Sequence, residues 1–308
     1  MSAQPQSQPA PSISPSPRPA GGDGTGAADQ VIVTGGPTAV VDLGGLRLVI
    51  DPTLGPAGGK GYLVKTAPPA LSAEEIGVPD AVLISHDDHP DNLDAEGRAY
   101  ALAAPLILTN PGAARRLGVP AVGLAPWESY ELARPDGGAL AITAVPAIHG
   151  PIDGERGEDG FINAEVTGFV LSGEGLPTVY LSGDNASVGT VVTILDRLGP
   201  VDWAVLNIGA ARVPTKFDGR PLSLTSERAA AAAQVLSPAR IIPAHYSHWT
   251  HFSQGGRRSS RPSTTLASVG RCASWSTGRR SSSTDLRRPH LDHCALAKMP
   301  QPRLACLR

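Results

Sequence analysis

Residues 84–94 read Ile-Ser-His-Asp-Asp-His-Pro-Asp-Asn-Leu-Asp. Two imidazoles, His86 and His89, share this stretch with the carboxylates of Asp87, Asp88, Asp91 and Asp94. Carboxylates this crowded repel one another unless solvated or neutralised by a cation. Imidazole nitrogen and carboxylate oxygen are also the donors that a borderline cation such as Zn²⁺ takes at about 2.0–2.2 Å. Three further places set a His or Asp just after an apolar run. His149 follows Val145-Pro146-Ala147-Ile148, Asp184 follows Tyr180-Leu181-Ser182-Gly183, and His245 follows Ile242-Pro243-Ala244. Singly, each has an ordinary reading: a hydrogen-bonded histidine at a strand end, a turn aspartate, a solvated acidic helix start. Taken together and in this order, they point to a metal centre.

The elements that must position these residues are legible as patterns. Residues 38–42 and 46–50 are apolar and β-branched around Gly44-Gly45, which predicts a tight hairpin. A short buried strand over 80–84 runs into Ser85-His86. Further strands are expected at 106–109, 121–124, 139–145, 166–172, 177–181, 202–206 and 240–242, and helices at 93–103, 111–117, 187–198 and 225–236. Thr225 suits an N-cap, with Glu227 in the first turn favouring the helix dipole. Strands come first and then alternate with helices. That order predicts an α/β (α+β) chain of two sheets covered by helices, not a doubly wound sheet.

Composition bounds the rest. No apolar run in the 308 residues reaches the roughly 18 needed to span a bilayer. Residues 1–30 are rich in Pro, Ser, Gly and Ala and read as a disordered arm and a poor signal peptide. All three cysteines (Cys272, Cys294, Cys306) lie late in the chain, which excludes a disulfide-stapled body over 31–254. These features predict a cytoplasmic protein. The net charge of −2 averages two unlike pieces: −11 up to Gln254 and +9 from Gly255 onward. The acidic body argues against nucleic acid, whose phosphates need a basic track, and favours a small-molecule substrate. Residues 255–308 hold the Arg- and Ser-rich runs 257–262 and 278–283 without helical or strand period. This basic, low-order tail reads as the wrong frame of a GC-rich gene, with a genuine basic tail as the alternative. His290, His293 and Cys294 within it have spacings too irregular for a zinc knuckle.

With these residues in view, the chain resembles the metallo-β-lactamase superfamily of metal-dependent hydrolases. Within it, the chain is most similar to the branch of ascorbate-6-phosphate lactonase-like proteins. The superfamily motif is His-x-His-x-Asp-His, followed by a His, a bridging Asp and a last His. Here His89-Pro90-Asp91 matches its His-x-Asp core, His149 the next His, Asp184 the bridging Asp and His245 the last. Gly35-Gly36-Pro37-Thr38 and Asp51-Pro52-Thr53 also resemble the branch. Two positions depart: the first motif position holds Asp87 with His86 beside it, and the last holds Asn92, a poorer ligand than imidazole. Whether His86 or Asp87 contacts metal stays open at this point. The resemblance implies an αββα sandwich with its ligands on loops at one edge. It implies one or two ions, Zn²⁺ first with Mn²⁺ or Fe suiting the same donors. His86, His89 and His149 would hold one ion, Asp91 and His245 the other, and Asp184 would bridge. The implied activity is attack of metal-bound hydroxide on an ester, lactone, amide or phosphoester. Asp91 would orient the nucleophile. His248, in His248-Trp249-Thr250-His251-Phe252, would line the pocket or donate a proton to the leaving group. Arg212 could hold an anionic group, and the acidic stretch 151–165 could form a lid. A metal-binding shell without turnover and a nucleic-acid-processing hydrolase are the alternatives.

Overall fold

Short apolar and β-branched runs, punctuated by glycine turns and side-chain caps, produce twelve strands in two facing sheets among the described residues. The structure is a computed structural model that describes residues 28–151 and 162–255. The first hairpin region comprises β1 (Gln30–Gly35), β2 (Thr38–Leu43) and β3 (Leu46–Ile50). Gly44 and Gly45 turn at φ of 58° and 81°, the positive values a two-residue hairpin turn requires. A small hairpin, β4 (Gly58–Lys60) and β5 (Leu63–Lys65), and helix α1 (Ala73–Ile76) follow. Then come β6 (Ala81–Leu83), α2 (Ala95–Leu102), β7 (Ile107–Thr109), α3 (Pro111–Leu117) and β8 (Ala121–Gly123). The second half contains β9 (Ser129–Ala133), β10 (Ala139–Pro146), β11 (Thr167–Ser172), β12 (Val179–Leu181), α4 (Val188–Leu198), β13 (Trp203–Asn207), α5 (Ser226–Val235) and β14 (Arg240–Ala244).

One sheet has the order β1-β2-β3-β6-β7-β8 and the other β14-β13-β12-β11-β10-β9. Their inner faces meet through Val41, Leu48, Leu83 and Leu108 on one side and Leu140, Ile142, Phe169, Leu171 and Leu181 on the other. The outer faces are covered as well. Val191 and Ile194 of α4 and Ala232 of α5 pack on Tyr180, Ala204 and Leu206. Ala101 of α2 packs on Val82, Ile84 and Ile107, and Ile76 of α1 packs on Val40 and Val49. The layers are therefore helix, sheet, sheet, helix, as the αββα expectation required.

Caps set the helix starts. Asp94, Asn110, Ser187 and Thr225 each accept a backbone N–H in the first turn of α2, α3, α4 and α5. The expected helices are found within two residues at each end. Strands β1, β4, β5 and β9 and the one-turn α1 were not expected. Among the described residues, no helix is long and apolar enough to cross a membrane. The expectations for the arm up to residue 27, for residues 152–161 of the acidic stretch and for the tail from 256 lie outside the described residues.

Candidate metal centre

Strands β10, β12 and β14 run in the same direction, so the residues that follow them emerge at one edge. Thr167 N donates to Ser85 O (3.0 Å), which joins the end of β6 to that edge. His149, Asp184, His245 and the 84–94 loop are thus brought together. Gly183 turns the chain before Asp184 at φ 54°, and a Cβ there would lie 2.8 Å from Thr167 O. Glycine is required at that corner on both counts.

His86 Nε2 and His89 Nδ1 are 3.0 Å apart, and His149 Nε2 is 3.2 Å from the same His89 Nδ1. The outer nitrogens fix the tautomers. His149 Nδ1 donates to Leu222 O (2.7 Å). Ser85 Oγ donates its proton to Asp51 Oδ2 (2.7 Å), so at 2.9 Å it accepts from His86 Nδ1. Both Nε2 atoms therefore present lone pairs, and a proton on His89 Nδ1 satisfies at most one of them. Nitrogens bound to one tetrahedral ion at 2.0–2.1 Å stand about 3.3 Å apart, so the spacing fits a cation at the focus.

The second group is Asp91, His245 and His251, whose donor atoms lie within 4.8 Å of one another. His245 sits between two carboxylates: Nε2 is 3.3 Å from Asp91 Oδ2 and Nδ1 is 3.1 Å from Asp184 Oδ1. A neutral imidazole in that place turns one lone pair on a carboxylate, and either protonation of the ring or a bound cation removes the conflict. Asp184 lies between the two groups, with Oδ2 3.6 Å from His149 Nε2. Asp184 Oδ2 and His245 Nδ1 are buried without a hydrogen-bond partner. Buried polar atoms normally have one, so these orphans fit a centre built around metal.

Electrostatics prepares the first group for ligation. Burial, then the neighbouring imidazoles, hold His86 well below its ordinary value. Burial, then His149, lowers His89 to about 4, and burial lowers His149. All three are neutral donors at neutral pH. Burial acts to lower His245 too, but Asp184 and Asp91 outweigh it and the net shift is upward. For Asp91, burial is outweighed by its hydrogen bonds with His245 and His251, and it lies well below the carboxylate range. In the metal-free protein the three buried imidazoles are expected to cost stability as pH falls, together outweighing the opposite effect of Asp51, a single carboxyl raised to about 7. Folding depresses His89, so its contribution is whole above its unfolded value near 6.5 and is lost as pH falls through about 4. That one group corresponds to about 3 kcal/mol. Urea melts of chelator-treated protein across this window check the direction.

The other carboxylates of the 84–94 loop have protein partners. Asp87 turns to Arg116 (Nε at 2.9 Å) and Arg98, and Asp88 to Arg116. Asp94 caps α2 and pairs with Lys65 Nζ at 3.0 Å. His86, not Asp87, therefore faces the cluster. Asn92 Nδ2 donates to Asp51 Oδ2 (3.3 Å). Asp51 also accepts from Ser85 N (2.7 Å), and burial pushes it up to about 7 against these donors. Asp51 entered the sequence reading only through the branch resemblance; its hold on His86 through Ser85 had no local signal. Outer-shell partners of ligand histidines are worth about 10–100-fold in metal affinity. Ser85→Ala is expected to weaken metal retention by that order, measured by competition with a coloured chelator.

His248 does not reach the cluster. Its ring packs against Gly35, where an added Cβ would lie 2.6 Å from Cε1, and Nδ1 bonds Ser247 Oγ at 2.8 Å. The histidine of that segment that enters the site is His251; Trp249 and Thr250 before it pair with the β4–β5 hairpin at Lys65 and Val64. Arg212 is also elsewhere, tying Ser253 Oγ (3.1 Å) to Gly219 O (2.7 Å). Over the cluster opens a small cleft, lined by His89, Asp91, His149 and His251. Tyr62, Leu63, Val213 and Leu222 form apolar walls, and Asn163 and Lys216 are its remaining polar residues.

Comparison with known proteins agrees with this architecture. The model of the Beta-lactamase superfamily domain matches residues 46–246. A UPF0173 metal-dependent hydrolase from Thermococcus onnurineus is 27% identical over 226 residues, covering 70% of this chain and 83% of its own length. One from Methanoregula boonei is 30% identical over 175 residues, 56% of this chain and 68% of its own. Among solved structures, a "possible metal-dependent hydrolase" from Veillonella parvula superposes with a TM-score of 0.64 at 19% identity, covering 74% of this chain and 89% of that one. CmlA from Streptomyces venezuelae, a diiron β-hydroxylase, superposes with a TM-score of 0.54 at 17% identity, covering 73% of this chain and 47% of that one. These matches carry the superfamily and its fold, and the curated relatives bear the UPF0173 name instead of a lactonase one. On the family match and the facing sheets that end in one cluster of ligands, the chain belongs to the β-lactamase superfamily, as a metal-dependent hydrolase of the metallo-β-lactamase fold.

Proposed function

We propose that the chain hydrolyses a small ester, lactone, amide or phosphoester at the cluster of His86, His89, His149, Asp91, Asp184 and His245. The observation that carries this reading is the convergence of two fixed imidazole lone pairs on His89, beside an orphaned carboxylate oxygen of Asp184. A divalent cation held there by these residues would lower the pKa of a water toward neutrality and polarise the substrate carbonyl or phosphoryl oxygen. Zn²⁺ suits the mixed nitrogen and oxygen donors best, with Mn²⁺ or Fe as the alternatives. CmlA, a diiron protein of related fold, supports the inclusion of iron.

The protein's own residues do the rest. His86 and His149 are held in one tautomer by Ser85 and Leu222 O, so their lone pairs need no reorganisation. Asp91 lines the cleft as a carboxylate and can orient an attacking water by accepting its hydrogen bond. The walls of Tyr62, Leu63, Val213 and Leu222 receive an apolar body and exclude water. Lys216 Nζ, which donates to Asn163 Oδ1 at 2.7 Å, faces the substrate's polar end. The acidic body supports a small substrate over nucleic acid.

The test is a panel of chromogenic esters, lactones, amides and phosphoesters, assayed on the full chain before and after chelation. Turnover is expected to vanish on chelation and to return with Zn²⁺ or Mn²⁺. Turnover indifferent both to chelation and to His149→Ala would contradict the reading. Lys216→Met is expected to raise KM more than it lowers kcat, because the ammonium binds and does not react.

A further inference from the structure

We propose that His251 is a direct ligand of a second metal ion, in the role that the superfamily motif gives to the position held here by Asn92. The inference rests on the metal-centre reading above and deepens it. Asn92 is buried, and its amide nitrogen is turned to Asp51, at the base of the His86 relay. His251 reaches the same cluster from the segment that follows His245. Its Nε2 is 2.9 Å from Asp91 Oδ2, the oxygen that also faces His245 Nε2 at 3.3 Å. The donors of Asp91, His245 and His251 thus surround one point, on the far side of Asp184 from the three-histidine group. His251 is buried, and its Nδ1 has no hydrogen-bond partner.

The backbone around His251 is fixed on both sides. Thr66 N donates to His248 O (2.7 Å), and Thr250 N donates to Val64 O (3.0 Å). Thr250 Oγ1 donates to Tyr62 O (2.8 Å), so the β4–β5 hairpin holds the approach to His251 at three points. On the other side, Arg212 N donates to His251 O (3.0 Å), and Phe252 bridges to Ala211. Trp249, between His248 and His251, lies under Lys65 Nζ at 5.8 Å from its ring centre. An imidazole delivered by a segment this constrained has the pre-set geometry that a metal ligand needs. Imidazole in place of the motif residue also restores the nitrogen donor that an amide oxygen at Asn92 would not match.

Two readings of the 2.9 Å contact are physically distinct. In one, His251 Nε2 donates a proton to Asp91 and only positions it. In the other, it offers a lone pair to an ion shared with Asp91 and His245. Co²⁺ titration of the metal-depleted full chain, followed by visible absorption and elemental analysis, separates them. The wild type is expected to bind two ions and His251→Ala one, with an unchanged far-ultraviolet circular dichroism spectrum. His251→Cys is expected to keep the second ion and gain a thiolate-to-cobalt band absent from the wild type. Two ions bound by His251→Ala, or no such band in His251→Cys, would overturn the assignment while leaving the three-histidine centre intact. A single ion in the wild type would overturn it equally. A folded wild type that binds none would overturn both this assignment and the reading it rests on.

Discussion

His149→Ala is expected to lower kcat/KM by about 10³-fold or more, because Lewis-acid stabilisation is worth several kcal/mol and each decade is 1.36 kcal/mol. The side chain contributes one of the two fixed lone pairs and is the one nearest Asp184. Its loss leaves His86 and His89 with too few partners to retain a cation against competing water. The variant should stay folded. His149 follows β10 at the edge of the sandwich and is absent from its packed interior, and it makes its one backbone contact with Leu222 O. Steady-state kinetics with metal in excess, alongside a thermal melt, would separate lost chemistry from lost structure. His149→Gln should recover little, since an amide cannot offer the same nitrogen lone pair.

Gly97→Ala should produce the largest loss of stability among single substitutions in the 84–102 region. A Cβ on Gly97 would stand 1.7 Å from Pro52 O and 2.6 Å from its carbonyl carbon, both backbone atoms. Neither side can yield cheaply. Asp94, three residues earlier, accepts from Leu54 N (3.0 Å) and Gly55 N (2.9 Å) and pairs with Lys65, so α2 is held tightly against 52–55. Overpacking against movable side chains costs typically about 1–3 kcal/mol, and fixed backbone places this case at or above that upper figure. Glycine in a helix is intrinsically poorer than alanine by about 1 kcal/mol, so propensity alone predicts the opposite sign. A denaturant melt therefore decides between close packing and propensity at this position. Because the same loop carries His86, His89 and Asp91, metal affinity should fall together with stability.

Much of this arrangement was readable before the fold was seen. The Gly44-Gly45 hairpin, the capped helices and the strands that deliver His149, Asp184 and His245 all follow local rules of period, turn and cap. Strand β9 was missed although Tyr130 and Leu132 point inward and Ser129 and Glu131 outward, an alternation that does mark a half-buried strand. The β4–β5 hairpin has no such mark: Gly58-Gly59-Lys60 is a strand only because it pairs with Leu63-Val64-Lys65. Crowded carboxylates at 87–94 suggested a cation, yet Arg116, Arg98 and Lys65 neutralise three of them and only Asp91 faces the cluster. The choice of His251 over His248 was beyond sequence reading. It depends on His248 adopting φ 72° and on contacts with a hairpin nearly 190 residues away in the chain. Spacing of residue types finds ligands that follow regular strands; it cannot rank those on a loop whose path is set by tertiary contacts.

This edge of the sandwich is expected to bind a transition-metal ion through His86, His89 and His149. Elemental analysis of the full chain, purified without chelator and compared with a His86→Ala/His149→Ala double variant, tests it most directly. At least about one ion per wild-type chain is expected, as a three-nitrogen site requires, with its loss from the folded double variant. A folded wild-type chain free of metal, or a double variant that keeps the same metal content, would contradict it.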